Sequence, residues 1–137
     1  GKANFTVPDR MTALSGVPAD GVFSLMTLRS NGQFNTTIYD DNDRLRGLNG
    51  DRMIVLISPE DIAQAGLAEG QMVTLVSAYD DGFERRHGKL RIVPYDLPRG
   101  CIAAYYPEAN PLVPLGLHDQ VSKTPASKGV PVRVVNS

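Results

Sequence analysis

The chain has 137 residues, 42% of them hydrophobic and 21% charged, with a formal net charge of −1. This is the length of one globular domain with a substantial core, and the composition excludes an intrinsically disordered chain. The charge gives no electrostatic basis for nucleic-acid binding, and no apolar run approaches the roughly 20 residues of a membrane-spanning helix.

The start of the chain and its cysteine content bear on its origin and compartment. The sequence begins GKANFTVPDRM, which contains neither an initiator methionine nor a signal-like segment. Two interpretations of this start are open, a processed chain and a piece of a longer polypeptide, and the second is favoured. The single cysteine, Cys101, cannot form an internal disulfide and excludes a cysteine-ligated cluster or zinc site within this chain. A cytoplasmic location is favoured over the periplasm.

The first half of the chain predicts an extended lead-in at 1–20, followed by a single domain over 21–137. Two short apolar runs, Val22–Thr27 and Met53–Ile57, are typical of buried strands. Between them, RSNG predicts a loop, FNTTIY either a short strand or an irregular loop, and Asp40–Gly50 a polar, solvated loop.

The segment Ile57–Ser77 has the most distinctive pattern, which predicts a strand, one short helix, a turn and a second strand. Ser58 is a suitable helix N-cap, and Pro59 suits the first helical position because its missing N–H costs nothing there. Gly66 can end the helix in a left-handed conformation. Gly70 provides the turn, and the alternation of MVTLVS is that of a strand.

The second half predicts turns at Asp80–Gly82 and Pro98–Gly100 and an irregular, proline-rich loop over Pro107–Pro114. Six or seven short strands with one helix indicate a mostly β domain, in which a closed barrel is favoured. The strands predicted in this half are Lys89–Pro94, Cys101–Tyr106 and Val130–Val135.

Catalytic and metal-binding patterns are weak. His87 and His118 are far apart, and neither lies in a ligand pattern such as H-x-x-x-H, so both are interpreted as surface or structural histidines. The acidic run Asp40–Asp43 does not fit a calcium loop, which needs glycine where Arg46 stands. Neither a P-loop nor a G-x-G-x-x-G motif is present.

A polar loop is the best candidate for binding. Thr27–Thr36 (TLRSNGQFNT) combines hydroxyl, guanidinium and amide groups with a glycine at the end of a strand. These groups suit a polar, phosphate-bearing ligand, because arginine forms a fork for phosphate and glycine allows close backbone approach. Composition alone favours an ordinary polar loop over this hypothesis. Asn110 and Lys128, each in its own loop, are further candidate contacts.

Four segments occur in an order that is specific, although each alone would be weak. They are LMTLRSNGQFNT, VLISPEDIAQAGLAEGQMVTLVS, LPRGCIAAYYPEANPLVP and SKTPASKGVPVRV. Taken in this order, the chain resembles the C-terminal molybdopterin dinucleotide-binding domain of the large molybdopterin oxidoreductases, which include formate dehydrogenases, periplasmic nitrate reductases and dimethyl sulfoxide reductases. The first segment and the acidic insertion resemble most the formate-dehydrogenase-like alpha subunits.

The resemblance implies a six-stranded double-psi β-barrel with one or two short helices, covering 21–137. It implies that this domain binds molybdopterin guanine dinucleotide, through which the parent enzyme holds molybdenum or tungsten. The metal ligand and any iron–sulfur cluster belong to other domains of that parent, which would be the partners of this one. The implied cofactor contacts are Thr27, Arg29, Ser30, Gly32, Gln33, Asn35, Thr36, Asn110 and Lys128.

The function implied is cofactor binding within a larger oxidoreductase, and the domain alone is expected to be inactive. A stand-alone double-psi barrel that binds a protein or ligand without a redox role is the alternative. A barrel enzyme in its own right is disfavoured. No glycine is followed by serine, which self-cleaving decarboxylase barrels need, and the Asp-Thr-Gly and Asp-Ser-Gly motifs of pepsin-like proteases do not occur.

Overall fold

A closed barrel of six strands dominates the structure, a computed structural model that describes residues 2–3, 21–33 and 41–137. A two-stranded hairpin and two short helical segments accompany the barrel. The elements are β1 (Val22–Leu28), β2 (Asn42–Asp43), β3 (Leu48–Asn49), β4 (Ile54–Ile57), α1 (Pro59–Gln64), β5 (Met72–Ser77), β6 (Arg86–Pro94), β7 (Cys101–Tyr105), a 3-10 helix (Asn110–Leu112) and β8 (Lys128–Asn136).

The barrel mixes parallel and antiparallel neighbours. Its strand order is β1-β7-β4-β6-β5-β8, and β8 pairs with β1 to close it. The pairs β1–β7 and β4–β6 are parallel, and the other four are antiparallel. Parallel neighbours need a crossover connection, so the barrel cannot be built from hairpins alone. The sequence-based prediction of a six-stranded, mostly β barrel is confirmed.

The hydrophobic core follows from the alternation of side chains along the strands. Most strands bury one face inside the barrel, as Leu25 does on β1 and Leu75 on β5. β4 differs, because all four of its residues are buried. Two of them, Val55 and Ile57, face the barrel core, and the alternate pair packs in a second cluster with Tyr105. Burial on both faces explains why this strand is an unbroken apolar run.

The short helix α1 begins as its sequence predicts. Ser58 Oγ accepts a hydrogen bond from the backbone N–H of Asp61 at 3.1 Å, and Pro59 occupies the first turn. The Asp61 carboxylate accepts from the backbone N–H of Gly100 at 2.7 Å, which attaches the helix to the turn before β7. The segment Ile57–Ser77 forms part of the barrel wall, because it runs from the end of β4 through α1 to β5.

Replacing Ser58 by alanine should lower the free energy of unfolding by about 1 kcal/mol, because the capped N–H of a buried helix start loses its acceptor. Urea denaturation followed by circular dichroism would measure the change. Glu60→Gln, which changes an exposed residue of the same turn, is the control. An unchanged urea midpoint for Ser58→Ala would contradict the assigned cap.

The acidic segment after residue 40 corrects the prediction of a solvated loop. Within it, β2 and β3 form a hairpin, and the Asp43 side chain is only 2% exposed. Asp43 accepts hydrogen bonds from the hydroxyl of Tyr105 and the guanidinium of Arg46. The interpretation was wrong because Tyr105 lies 62 residues away along the chain, where no local pattern reveals it.

Two sequence-based predictions concern residues that the structure does not describe. The lead-in at 1–20, apart from residues 2–3, and the segment 34–40 lie outside the described residues. Among the residues that are described, no helix has the length and apolar character needed to cross a membrane.

Candidate functional site

Three chain segments meet at one end of the barrel. Because β1 and β7 are parallel and Leu28 pairs with Tyr105, the segments that follow both strands leave on the same side. β8 is antiparallel to β1, and its first residue, Lys128, pairs with Met26 near the end of β1. The segment after β1, the segment after β7 and the segment before β8 therefore border a common space.

This space is a cleft of about 340 Å³. Lys128 Nζ donates a hydrogen bond to the carbonyl oxygen of Thr27, and Thr27 Oγ1 donates to the carbonyl oxygen of Ser127 at 3.2 Å. The predicted site residues Thr27, Arg29 and Lys128 thus come together from positions up to 101 residues apart. Tyr106 and Ser127 join them. The lining residues are Thr27, Arg29, Tyr106, Ser127 and Lys128.

The cleft is cationic. Arg29 and Lys128 both line it, and none of its described lining residues is acidic. Partial burial, together with the positive charges of Arg29 and Arg46, holds the pKa of Lys128 below its usual value of 10.5. Cations brought together at a partly buried place favour a bound anion, because the anion relieves their mutual repulsion.

An aromatic ring forms one wall of the cleft. The guanidinium carbon of Arg29 lies 5.7 Å from the centroid of the Tyr106 ring, within the range of a cation–π contact. A flat ring beside a planar guanidinium offers a surface on which a heterocycle can stack. Anion-binding and stacking groups therefore lie side by side.

Three predicted site residues shape the loop that carries Arg29. The side chains of Ser30 and Gln33 are 5% and 4% exposed, and neither lines the cleft. Gln33 Oε1 accepts from the backbone N–H of Ser30 at 3.1 Å, and Gln33 Nε2 donates to the carbonyl oxygen of Tyr106 at 3.0 Å. Gly32 has φ +79, which closes the turn in a conformation that glycine adopts readily.

The remaining predicted site residues are Asn110, Asn35 and Thr36. Asn110 is exposed, starts the 3-10 helix that packs against β5 and β6, and is not a lining residue. Asn35 and Thr36 lie outside the described residues. Their contacts with a cofactor, like those of the other six, stay predictions.

Sequence analysis missed Arg52, which lies behind the cleft and is 7% exposed. Its Nη1 donates to Ser30 Oγ at 2.9 Å, and its Nη2 donates to the carbonyl oxygen of Tyr106 at 2.7 Å. Its Nε and Nη2 also donate to the two carboxylate oxygens of Glu108, at 2.7 and 3.0 Å. No local signal marks Arg52, because it follows a polar loop and precedes an ordinary strand.

The charge of Arg52 is balanced locally. Burial acts to raise the pKa of Glu108, but the hydrogen bonds and positive charge of Arg52 outweigh it and hold that pKa below its usual value. The guanidinium carbon of Arg52 also lies 4.5 Å from the centroid of the Tyr105 ring. Arg52 is therefore paired with a carboxylate within the protein.

A second network supports the backbone at Arg29. Arg46 Nη1 donates to the carbonyl oxygen of Arg29 at 3.0 Å and also pairs with the Asp43 carboxylate. Burial acts to raise the pKa of Asp43, and the bonds from Arg46 and Tyr105 overcome it, so the pKa lies below its usual value. Burial and the bond to Asp43 raise the pKa of the Tyr105 hydroxyl, which stays protonated as a donor.

Comparison with known proteins places the chain in a family context. Residues 23–131 match the family described as "Molydopterin dinucleotide binding domain", that is, the molybdopterin dinucleotide-binding domain. The chain is 48% identical over 139 residues to an uncharacterized oxidoreductase of Mycobacterium bovis and 32% identical over 136 residues to protein YdeP of Escherichia coli. The alignments cover 98% of this chain but only 17% and 18% of those proteins.

A solved structure shares the fold. Acetylene hydratase from Pelobacter acetylenicus superposes with a TM-score of 0.56 at 15% sequence identity, covering 84% of this chain and 18% of that one. At this identity the likeness concerns the fold alone. The barrel is thus similar to a small part of a much longer protein.

Proposed function

This chain belongs to the family of molybdopterin dinucleotide-binding domains, and on that premise we propose that its cleft binds molybdopterin guanine dinucleotide. The observation that supports this most is the convergence of Arg29 and Lys128 on a cleft with no acidic residue among its described lining. A dinucleotide carries a diphosphate, and paired cations from two chain segments suit its several oxygens.

The residues of the cleft make two kinds of contact with the cofactor. Arg29 and Lys128 neutralise the diphosphate, and the ring of Tyr106 packs against a heterocycle of the cofactor. The cofactor, when bound, supplies the redox chemistry of its molybdenum or tungsten, while the domain supplies binding and electrostatics. Asn35, Thr36 and Asn110 are proposed as further contacts by their family positions.

The whole protein is proposed to be a formate-dehydrogenase-like oxidoreductase of the cytoplasm. The chain spans about a sixth of the length of its relatives, so the remaining domains are its proposed partners and hold any iron–sulfur cluster. Assays of the purified chain with dye acceptors should show no turnover of formate or nitrate. Robust turnover by the chain alone would contradict the proposal that catalysis requires the remaining domains.

Guanosine diphosphate, as half of the cofactor, tests the site directly. Calorimetric titration should show weak, specific binding, and Arg29→Gln should weaken it about tenfold, because a charge-assisted contact to phosphate is lost. Arg133→Gln removes the same charge from an exposed position on β8 and should leave the affinity unchanged. If millimolar guanosine diphosphate does not bind, the stand-alone module becomes the better explanation.

A further inference from the structure

We propose that Arg52 is a positioning residue that holds the two walls of the cleft, Arg29 and Tyr106, at a fixed separation for the cofactor. This inference rests on the proposed function, because it explains how the binding surface is kept in shape. Arg52 does not line the cleft itself. It acts through Ser30, which adjoins Arg29, and through the backbone of Tyr106.

The hydrogen bonds of Arg52 run to both walls. One side of its guanidinium reaches Ser30 Oγ on the segment after β1, and the other reaches the carbonyl oxygen of Tyr106 on the segment after β7. Gln33 bridges the same two segments, from the N–H of Ser30 to the carbonyl oxygen of Tyr106. The backbone N–H of Tyr106 also donates to the carbonyl oxygen of Leu28 at 2.7 Å. Past this bond and the last strand pair, Leu28 and Tyr105, the side chains of Arg52 and Gln33 continue the connection between the two segments.

The shape of the guanidinium is essential to this role. Its donors lie in one plane, so it can bond to Ser30, Tyr106 and Glu108 at once while its face covers the ring of Tyr105. The ammonium group of lysine carries the same charge but lacks this planar fork. Arg52→Lys therefore keeps the charge and removes the geometry.

The role of Glu108 separates Arg52 from the cations of the cleft. Both carboxylate oxygens of Glu108 accept from Arg52, so the positive charge is satisfied inside the protein. Arg29 and Lys128 line the cleft, whose described lining contains no acidic residue. Loss of Arg52 should therefore disturb the order of the cleft rather than remove a charge from it.

The test measures local order and binding in the same variants, at a temperature where circular dichroism shows each one folded. In Arg52→Lys, affinity for guanosine diphosphate should fall about tenfold, because the cleft is no longer preorganised and binding must order its walls. Solvent exchange of the Gln33 side-chain amide, measured by NMR, should become faster. Arg133→Lys, an exposed replacement on β8, should change neither quantity.

Chemical rescue separates positioning from general stability. Millimolar methylguanidinium should restore affinity and slow Gln33 exchange in Arg52→Ala, whereas ammonium should not. If Arg52→Ala and Arg52→Lys do not fold, Ser30→Ala removes a single acceptor of the network and should still speed exchange at Gln33. Unchanged exchange at Gln33, with affinity within twofold of the parent, would overturn the proposal for Arg52.

The two proposals fail in distinguishable ways. If the unmodified chain does not bind guanosine diphosphate, the proposed function fails, and the Gln33 exchange rates alone decide the role of Arg52. If the chain binds the nucleotide and Arg52→Lys binds it equally well with Gln33 still protected, the proposed function stands and the positioning role fails.

Discussion

Replacing Asp43 by alanine is expected to lower the free energy of unfolding by about 3 kcal/mol. The carboxylate is 2% exposed and accepts from both Tyr105 and Arg46. Its removal leaves a buried hydroxyl and a partly buried guanidinium without this partner, and unsatisfied buried groups cost more than the bonds themselves contribute. Chemical denaturation of the purified chain measures the loss.

The Asp43 carboxylate should make the free energy of unfolding depend on pH in the acidic range. The pKa of Asp43 is lowered in the folded protein from its usual value of 3.8. Its contribution is therefore fully present above that usual value and is lost as the pH falls from it toward the lowered folded-state pKa. Asp43→Ala should flatten this part of the stability curve.

The neighbouring acid provides the matched control. Asp41 is exposed, so Asp41→Asn removes an equal charge at nearly the same place and should shift stability by less than about 0.5 kcal/mol. Equal effects of Asp41→Asn and Asp43→Ala would show that charge number, rather than the buried contacts of Asp43, determines the loss.

Replacing Asp43 should affect the cleft as well as stability. Asp43 pairs with Arg46, and Arg46 donates to the carbonyl oxygen of Arg29. Without the carboxylate, Arg46 loses the contact that orients it toward this backbone group. The hairpin of β2 and β3 is thereby coupled to the position of a proposed phosphate-binding side chain, although it does not line the cleft.

Local sequence patterns predicted the parts of the fold that local physics determines. Ser58 and Pro59 define the start of α1 because capping acts within one turn. The run before them is buried on both faces and is apolar for that reason. The number of short strands favoured a closed barrel, and the family resemblance supplied the count of six strands.

The supporting networks could not be predicted in the same way. Arg52 meets Tyr106 from 54 residues away, and Tyr105 meets Asp43 from 62 residues away. The contact of Arg52 with Tyr106 exists because β4 and β7 are antiparallel neighbours, which places the start of β4 beside the end of β7. A single sequence does not reveal that pairing. Of the residues named in advance, Thr27, Arg29 and Lys128 line the cleft. Arg52, which was missed, supports its walls from outside the lining.

Lys128→Gln is expected to weaken guanosine diphosphate binding about 30-fold at neutral pH, because a charge-assisted contact to the diphosphate disappears. Burial, with the charges of Arg29 and Arg46, already lowers the pKa of this ammonium group in the free protein. Relief of that repulsion by a bound anion should make Lys128 a stronger contact than a fully solvated lysine. Calorimetry with Arg133→Gln as the control measures the difference.

The pH dependence of binding identifies the group responsible. A bound diphosphate raises the pKa of Lys128, so affinity is full below the lowered pKa of the free protein and declines as the pH rises through it toward the pKa in the complex. Lys128→Arg keeps its charge throughout this range. Ionisation of the nucleotide is common to both proteins, so the ratio of their affinities isolates Lys128. A ratio that stays constant from neutral pH to pH 10.5, the usual pKa of lysine, would exclude Lys128 as the phosphate contact.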